Sequence, residues 1–179
     1  EGFGFTERTG IDMLGEASNA GLYHTEAQLA KEESAMATSS FGQTFKVTPI
    51  QMITAFCAVA NGGQLLEPTL ILEDSQAESS RFMDASTADR LKQMMNYNVV
   101  DHYDGDVNFP GLKLCAKTGT AELGDGASHA WFAGFLADEE HPFAFVTLVE
   151  RGGYGLSTSG PITNDVLQWA VENIKVEKQ

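Results

Sequence analysis

Residues 111–122 read Gly111-Leu112-Lys113-Leu114-Cys115-Ala116-Lys117-Thr118-Gly119-Thr120-Ala121-Glu122. From Leu112 to Thr120 the side chains alternate. Lys113, Cys115 and Lys117 fall on one face and Leu112, Leu114 and Ala116 on the other, which is the period of a β-strand. A lysine in that setting is a solvated charge, a phosphate clamp or one part of a catalytic site. Gly119 lacks a Cβ, so an extended peptide can lie against its backbone as an added strand. Lys117 projects a cation, Thr118 offers a hydroxyl to a carboxylate, and the Thr120 N–H can face a developing oxyanion. Taken alone, three such common residues read as an ordinary solvated strand end.

The neighbouring segments extend the pattern. His129 to Leu136 and Phe143 to Val149 are nearly continuously apolar or small, as expected of strands covered on both faces. Short turn signals, Gly124-Asp125-Gly126 and Asp138 to Pro142, separate them, so the three strands should form an antiparallel meander. Upstream, Thr48-Pro49-Ile50-Gln51 carries the signs of a helix start: threonine at the N-cap, glutamine three residues on, and proline in the first turn. Ile50, Ile53, Phe56, Cys57 and Ala60 recur at helical spacing until Asn61-Gly62-Gly63. A second helix is expected from Ser86 to about Val100, with Ala88, Leu91, Met94, Met95 and Val99 inward. A third should run from about Pro161 with Ile162, Val166, Trp169, Ala170 and Ile174 inward. Glu16 to Thr38 reads as loop with weak helix, and Glu73 to Ser80 as a surface loop.

Charge and composition exclude several classes. The 179 residues suffice for one domain with a core. Eleven Lys and Arg stand against 25 Asp and Glu, a formal charge of −14, which disfavours nucleic acid and anionic lipid as partners. No apolar run approaches the roughly 18 residues of a membrane span, and the first residues do not read as a signal peptide. Cys57 and Cys115 make neither a disulfide framework nor a zinc site, and His24, His102, His129 and His141 lack metal-ligand spacing. No cofactor is expected. Gly2-Phe3-Gly4, Gly124-Asp125-Gly126 and Gly152-Gly153-Tyr154-Gly155 do not have the spacing of phosphate loops.

The segments around Lys117 make it specific. Lys117-Thr118-Gly119-Thr120-Ala121-Glu122, followed by His129-Ala130-Trp131-Phe132-Ala133-Gly134-Phe135, resembles the third active-site motif and next strand of the penicillin-binding protein transpeptidase domain. Phe41-Gly42-Gln43-Thr44-Phe45-Lys46-Val47-Thr48-Pro49-Ile50-Gln51-Met52 is similar to that family's helix start, and Ala58 to Gly63 to the end of the same helix. Phe3-Gly4-Phe5 and Thr9 to Ala17 resemble the segment before it. The resemblance runs in order from the first residue to about Trp169 and is nearest to the class B, monofunctional type. Thr44 departs from the usual glycine, so a differently shaped loop is expected there.

That resemblance implies an α+β fold of the β-lactamase/transpeptidase kind, an antiparallel sheet packed with helices, of whose five strands three remain here. It implies a serine enzyme that cross-links peptidoglycan stem peptides ending in D-Ala-D-Ala and is the target of β-lactams. Lys117, Thr118, Gly119 and Thr120 would serve catalysis, and together with Ala121 and Glu122 would bind substrate. It further implies cell-wall synthesis proteins as partners, and a place on the extracytoplasmic face of the bacterial cytoplasmic membrane with the anchor outside this chain.

The family's other two motifs, S-x-x-K with the nucleophile and S-x-N, do not occur in the sequence. The positions three before Lys31, Lys46, Lys92, Lys113, Lys117, Lys175 and Lys178 hold no serine, and no asparagine has serine two positions earlier. Residues 1–179 therefore read as a single C-terminal piece of the domain that is inactive alone. Its strand 143–149 would expose an apolar edge open to self-association. A class D-like serine β-lactamase or β-lactam sensor, and a non-catalytic binding module on the same fold, are the alternatives. Thr9 to Ala17 and the long segment Ser79 to Val107 before Lys117 favour the transpeptidase.

Overall fold

A computed structural model of the chain describes residues 3–19, 23–71 and 79–176. Two short helices, α1 (Glu26–Leu29) and α2 (Glu33–Ser39), precede α3 (Pro49–Ala60). A two-stranded ribbon of β1 (Gln64–Leu66) and β2 (Ser79–Arg81) leads into α4 (Ala85–His102) and the single turn α5 (Gly105–Asn108). Strands β3 (Leu114–Glu122), β4 (Ser128–Leu136) and β5 (Ala144–Val149) form the expected antiparallel meander, in the order β3-β4-β5. Helix α6 (Gly155–Asn173) follows. The register sets Lys117 opposite Ala133, Gly119 opposite Trp131, and Gly134 opposite Phe145.

Local chemistry explains the start of α3. The Thr48 hydroxyl accepts from the Gln51 N–H at 3.2 Å, and Gln51 Oε1 accepts from the Thr48 N–H at 2.9 Å, so two amides at the helix start are satisfied reciprocally. The Gln51 carboxamide also does something its position in the cap does not reveal. It is buried and donates to Glu7 O at 2.6 Å and Asn19 Oδ1 at 3.1 Å, while Asn19 Nδ2 donates to Phe5 O and Lys46 O. This knot of amides fastens the first segment of the chain and the loop before α3 onto the start of that helix.

The sheet separates two apolar clusters. On one face Val59, Cys115 and Phe135 pack with Phe56, Leu91 and Met95 of α3 and α4. On the other, Leu114, Ala116, Phe132 and Leu136 pack with Val99, Tyr103, Phe109 and Leu167. Phe132 is fully buried, its ring centroid 5.4 Å from those of Phe109 and Phe145. Leu114, Cys115 and Ala116 are all buried, so the first third of β3 is covered on both faces despite its alternating pattern.

Expected faces are corrected in α6, α4 and β5. Helix α6 begins at Gly155, and its buried side is Gly155, Ser159, Gly160, Thr163, Leu167 and Ala170. Ile162, Val166, Trp169 and Ile174 are 45%, 60%, 60% and 42% exposed; of the expected stripe only Ala170 is inward. Small residues win because they let the helix lie close to the sheet. The Ser159 hydroxyl reaches Ala130 O at 3.0 Å, and the Thr147 and Thr163 hydroxyls meet at 2.7 Å. In α3 the buried side is Gln51, Ala55, Ala58 and Val59, whereas Ile50, Ile53, Phe56, Cys57 and Ala60 are half-buried. In α4 Met94 is exposed, while Ala88 and Val99 are buried and Leu91 and Met95 pack at the cluster's margin. Strand β5 is half-buried throughout rather than covered on both faces, because among the described residues it pairs only with β4. Of the surface loop expected at Glu73 to Ser80, residues 73–78 lie outside the described residues, and Ser79 and Ser80 belong to β2.

Candidate active site

Strand β3 is an edge strand, and its even-numbered residues turn their backbone groups away from β4. What meets those groups changes along the strand. Helix α4 crosses the first part: Asn96 Nδ2 donates to Leu114 O at 3.0 Å and Asn98 Nδ2 to Ala116 O at 3.2 Å. At the end of α4, Tyr103 Oη accepts the Thr118 N–H at 3.1 Å and lies 3.0 Å from the Thr118 hydroxyl. Beyond that point α4 has ended, and Lys117 to Glu122 emerge from the core as half-buried or exposed residues.

The Lys117 ammonium is exposed and donates to its neighbour's carbonyl, Thr118 O, at 2.8 Å. Such a one-residue loop is easily exchanged for a ligand anion. A Cβ at Gly119 would lie 3.2 Å from the Trp131 Cβ across the register, a tight contact that Trp131 would have to yield to by a few tenths of an ångström. The Thr120 hydroxyl accepts the Gly155 N–H at 3.3 Å, at the start of α6, which leaves its own proton free to donate. Gly155 has to be glycine for this approach: a Cβ would come 2.5 Å from Gly119 O and Trp131 O.

Tyr103 is tuned by the same contacts. Burial alone would push its phenol up. Hydrogen bonds from the Thr118 N–H and hydroxyl and from Asn98, together with the Lys117 charge, outweigh that and hold it below the ordinary tyrosine value. Cys115, on the buried part of the strand, goes the other way: burial pushes its thiol up to about 11.

A cleft of about 620 Å³ opens beside the exposed half of β3, lined by Thr38, Phe41, Gln43 and Thr44 on one side and by Thr120, Glu122 and Gly124 on the other. Gln43 crosses it, its Nε2 donating to Thr120 O at 3.3 Å. Thr44 has φ 81°, in the left-handed region where glycine is favoured, and its hydroxyl is hydrogen-bonded to that of Thr38. The threonine at this position thus adopts a backbone that glycine takes more readily. Lys117, Thr118, Gly119, Thr120, Ala121 and Glu122 lie together on one edge. Asn96, Asn98, Tyr103 and Gly155, which position that edge, carry no motif. The one sequence signal that could have found Tyr103 is its spacing of four from Val99, which sets the two on one helix face.

A small helix-covered antiparallel sheet whose edge strand carries Lys-Thr-Gly-Thr over an open cleft is a transpeptidase-type α+β fold. The chain belongs to the penicillin binding protein transpeptidase domain family, whose sequence model matches residues 1–168. Stage V sporulation protein D of Bacillus subtilis is 27% identical over 98% of this chain and 30% of its own length. Penicillin-binding protein 3 of the same organism is 31% identical over 66% of this chain and 20% of its own length. The chain therefore spans less than a third of these relatives. Among solved structures, the D,D-transpeptidase domain of a peptidoglycan glycosyltransferase from Eggerthella lenta superposes with a TM-score of 0.76 at 22% identity, covering 96% of this chain and 46% of the other. An imipenem acyl-enzyme complex of penicillin-binding protein A from Mycobacterium tuberculosis gives 0.73 at 25% identity, covering 95% and 40%. No helix among the described residues is long and apolar enough to cross a membrane.

Proposed function

We propose that this chain supplies the substrate-docking half of a D,D-transpeptidase site. Cross-linking proceeds by acyl transfer through a serine that is not among these 179 residues. The observation that carries this is the change of character along β3: its edge is capped by α4 and Tyr103 as far as the Thr118 N–H, and beyond it the strand is half-buried or exposed, with Thr120 and Glu122 lining the cleft. A stem peptide ending in D-Ala-D-Ala docks there as an extra strand. Lys117 turns from Thr118 O to the terminal carboxylate, and the Thr120 hydroxyl adds a donor. With the chain at −14, that carboxylate needs a dedicated local cation. Gly119 keeps the strand surface flat, and Ala121 and Glu122 extend the docking edge. A β-lactam, which mimics the same acyl-D-Ala-D-Ala end, would occupy the same edge.

The intact protein would act on the extracytoplasmic face of the bacterial membrane with other cell-wall synthesis proteins. A solved structure similar to this chain fits that setting, a penicillin-binding protein of Helicobacter pylori in complex with MreC. Fluorescent penicillin is the direct test. The 179-residue chain should form no covalent adduct, and the full-length protein should form one that Lys117→Ala reduces severely. A stoichiometric adduct with the chain alone, or an unimpaired K117A enzyme, refutes this assignment. Rapid deacylation by the full-length protein would instead favour the β-lactamase alternative, and lack of an upstream S-x-x-K the non-catalytic one.

The residues 143–149 edge supports a second proposal, self-association of the chain through β5. Among the described residues the strand is half-buried and paired on one side only, and the exposed Ile162, Val166 and Trp169 lie on the helix that packs against it. Sedimentation that stays monomeric over a wide concentration range would refute it.

A further inference from the structure

The groups that cap the outer edge of β3 fall into two sets. Leu114 O, Ala116 O and the Thr118 N–H are met by Asn96, Asn98 and Tyr103. All three sit on or directly after α4, and Tyr103 is only 7% exposed. Releasing them requires α4 to leave the core. The Thr118 and Thr120 carbonyls are held instead by the ends of two long side chains, Lys117 and Gln43. The second of these is not local. Gln43 lies 77 residues from Thr120 and reaches it from across the cleft.

We propose that Gln43 is a competitive latch on the docking edge. Its carboxamide occupies the Thr120 carbonyl in the free protein and gives way to a backbone N–H of the incoming peptide, with Thr44 as the pivot. Three features point this way. At 3.3 Å the bond is long for N–H···O, so it is readily exchanged. The neighbouring Thr44 holds a left-handed backbone that disfavours a β-branched residue, so this turn stores free energy that movement releases. The far end of the loop is fixed, because Asn19 Nδ2 donates to Lys46 O at 2.9 Å. Motion is thereby confined to the few residues that line the cleft, Phe41 to Thr44. The two sets also fix the length of edge a peptide can use. Only the stretch from Thr118 O to Glu122 can be vacated by side-chain movement alone.

The latch rests on the docking edge proposed above, and one titration separates the two. The carbonyl-labelled 179-residue chain is followed by NMR during addition of diacetyl-L-Lys-D-Ala-D-Ala. In the wild type, peptide should shift both the Thr120 carbonyl and the Gln43 side-chain amide resonances. Gln43→Ala should shift the Thr120 carbonyl before any peptide is added. It should also bind peptide about 2- to 10-fold more tightly, the worth of one competing neutral hydrogen bond. Gln43→Asn, one methylene too short to reach, should behave like the alanine variant. Equal or weaker binding by both variants overturns the latch and leaves the docking edge standing. Absence of peptide binding to all three proteins overturns both.

Discussion

Replacing Gly155 by alanine tests how tightly the start of α6 is locked to the docking strand. The added Cβ would sit 2.5 Å from both Gly119 O and Trp131 O and 3.1 Å from Gly119 N. All three are backbone atoms of paired strands, so none can swing aside. Restoring contacts of about 3.5 Å requires the helix start to lift by roughly 1 Å. That lift breaks the Gly155 N–H bond to the Thr120 hydroxyl, already 3.3 Å long. Overpacking of this kind costs about 1–3 kcal/mol and the lost hydrogen bond about 0.5–1.5 kcal/mol. Against this stands a helix-propensity gain of at most about 1 kcal/mol for Gly→Ala. The net loss should be about 1–3 kcal/mol, a fall in Tm of roughly 2–10 °C for a chain of this size. Urea and thermal unfolding followed by circular dichroism measure it. Gly160→Ala is the control in the same helix: its Cβ would meet Leu156 Cδ1 at 3.5 Å and Phe109 Cζ at 3.7 Å, ordinary contacts. The propensity gain there is set against the restriction that Pro161 places on a preceding residue, so a change within about 0.5 kcal/mol is expected. A G155A protein as stable as the wild type, or a G160A protein equally damaged, refutes the reasoning.

Three further outcomes follow from contacts already described. Gln51→Ala should cost about 1–3 kcal/mol, since it strips partners from Glu7 O, the Thr48 N–H and buried Asn19, and should speed tryptic cleavage after Arg8; unchanged cleavage would contradict the anchoring role. In an alkaline absorbance titration Tyr103 should ionise before Tyr23, raised by burial, and Tyr97, raised by Asp101, and Tyr103→Phe should delete a step that precedes both. Because its folded value is depressed, Tyr103 contributes stability above the ordinary phenol value, which is lost as pH falls through the folded value. Cys115 has the opposite sign: its contribution is complete below the ordinary thiol value and is lost as pH climbs through about 11. Native protein should accordingly leave Cys115 unmodified by iodoacetamide at neutral pH, and rapid labelling would show that the strand is not packed as described.

The meander was legible because three apolar segments are separated by turns too short for anything but hairpins. The start of α3 was legible because Thr48, Pro49 and Gln51 act within one turn. The inward side of α6 was not, because a hydrophobicity stripe finds large apolar residues, whereas Gly155, Ser159, Gly160 and Thr163 are chosen for close approach to the sheet. The strand that bears Lys117 was evident from its pattern and its resemblance. What caps its edge was not: Asn96 and Asn98 reach it across 18 residues and Gln43 across 77, and no local period encodes such pairings.

The amide knot around Gln51 has a kinetic consequence. Its bonds join residues 32, 44 and 46 positions apart, while β3, β4 and β5 are connected by hairpins of a few residues. Short closures form at less entropic cost than long ones, so the meander assembles before the knot closes. The segment from Phe3 to Asn19 docks after it. Slowing that step with Gln51→Ala would leave the refolding rate of the meander unchanged, giving a chain that acquires its edge strand before its first segment is fastened to the start of α3.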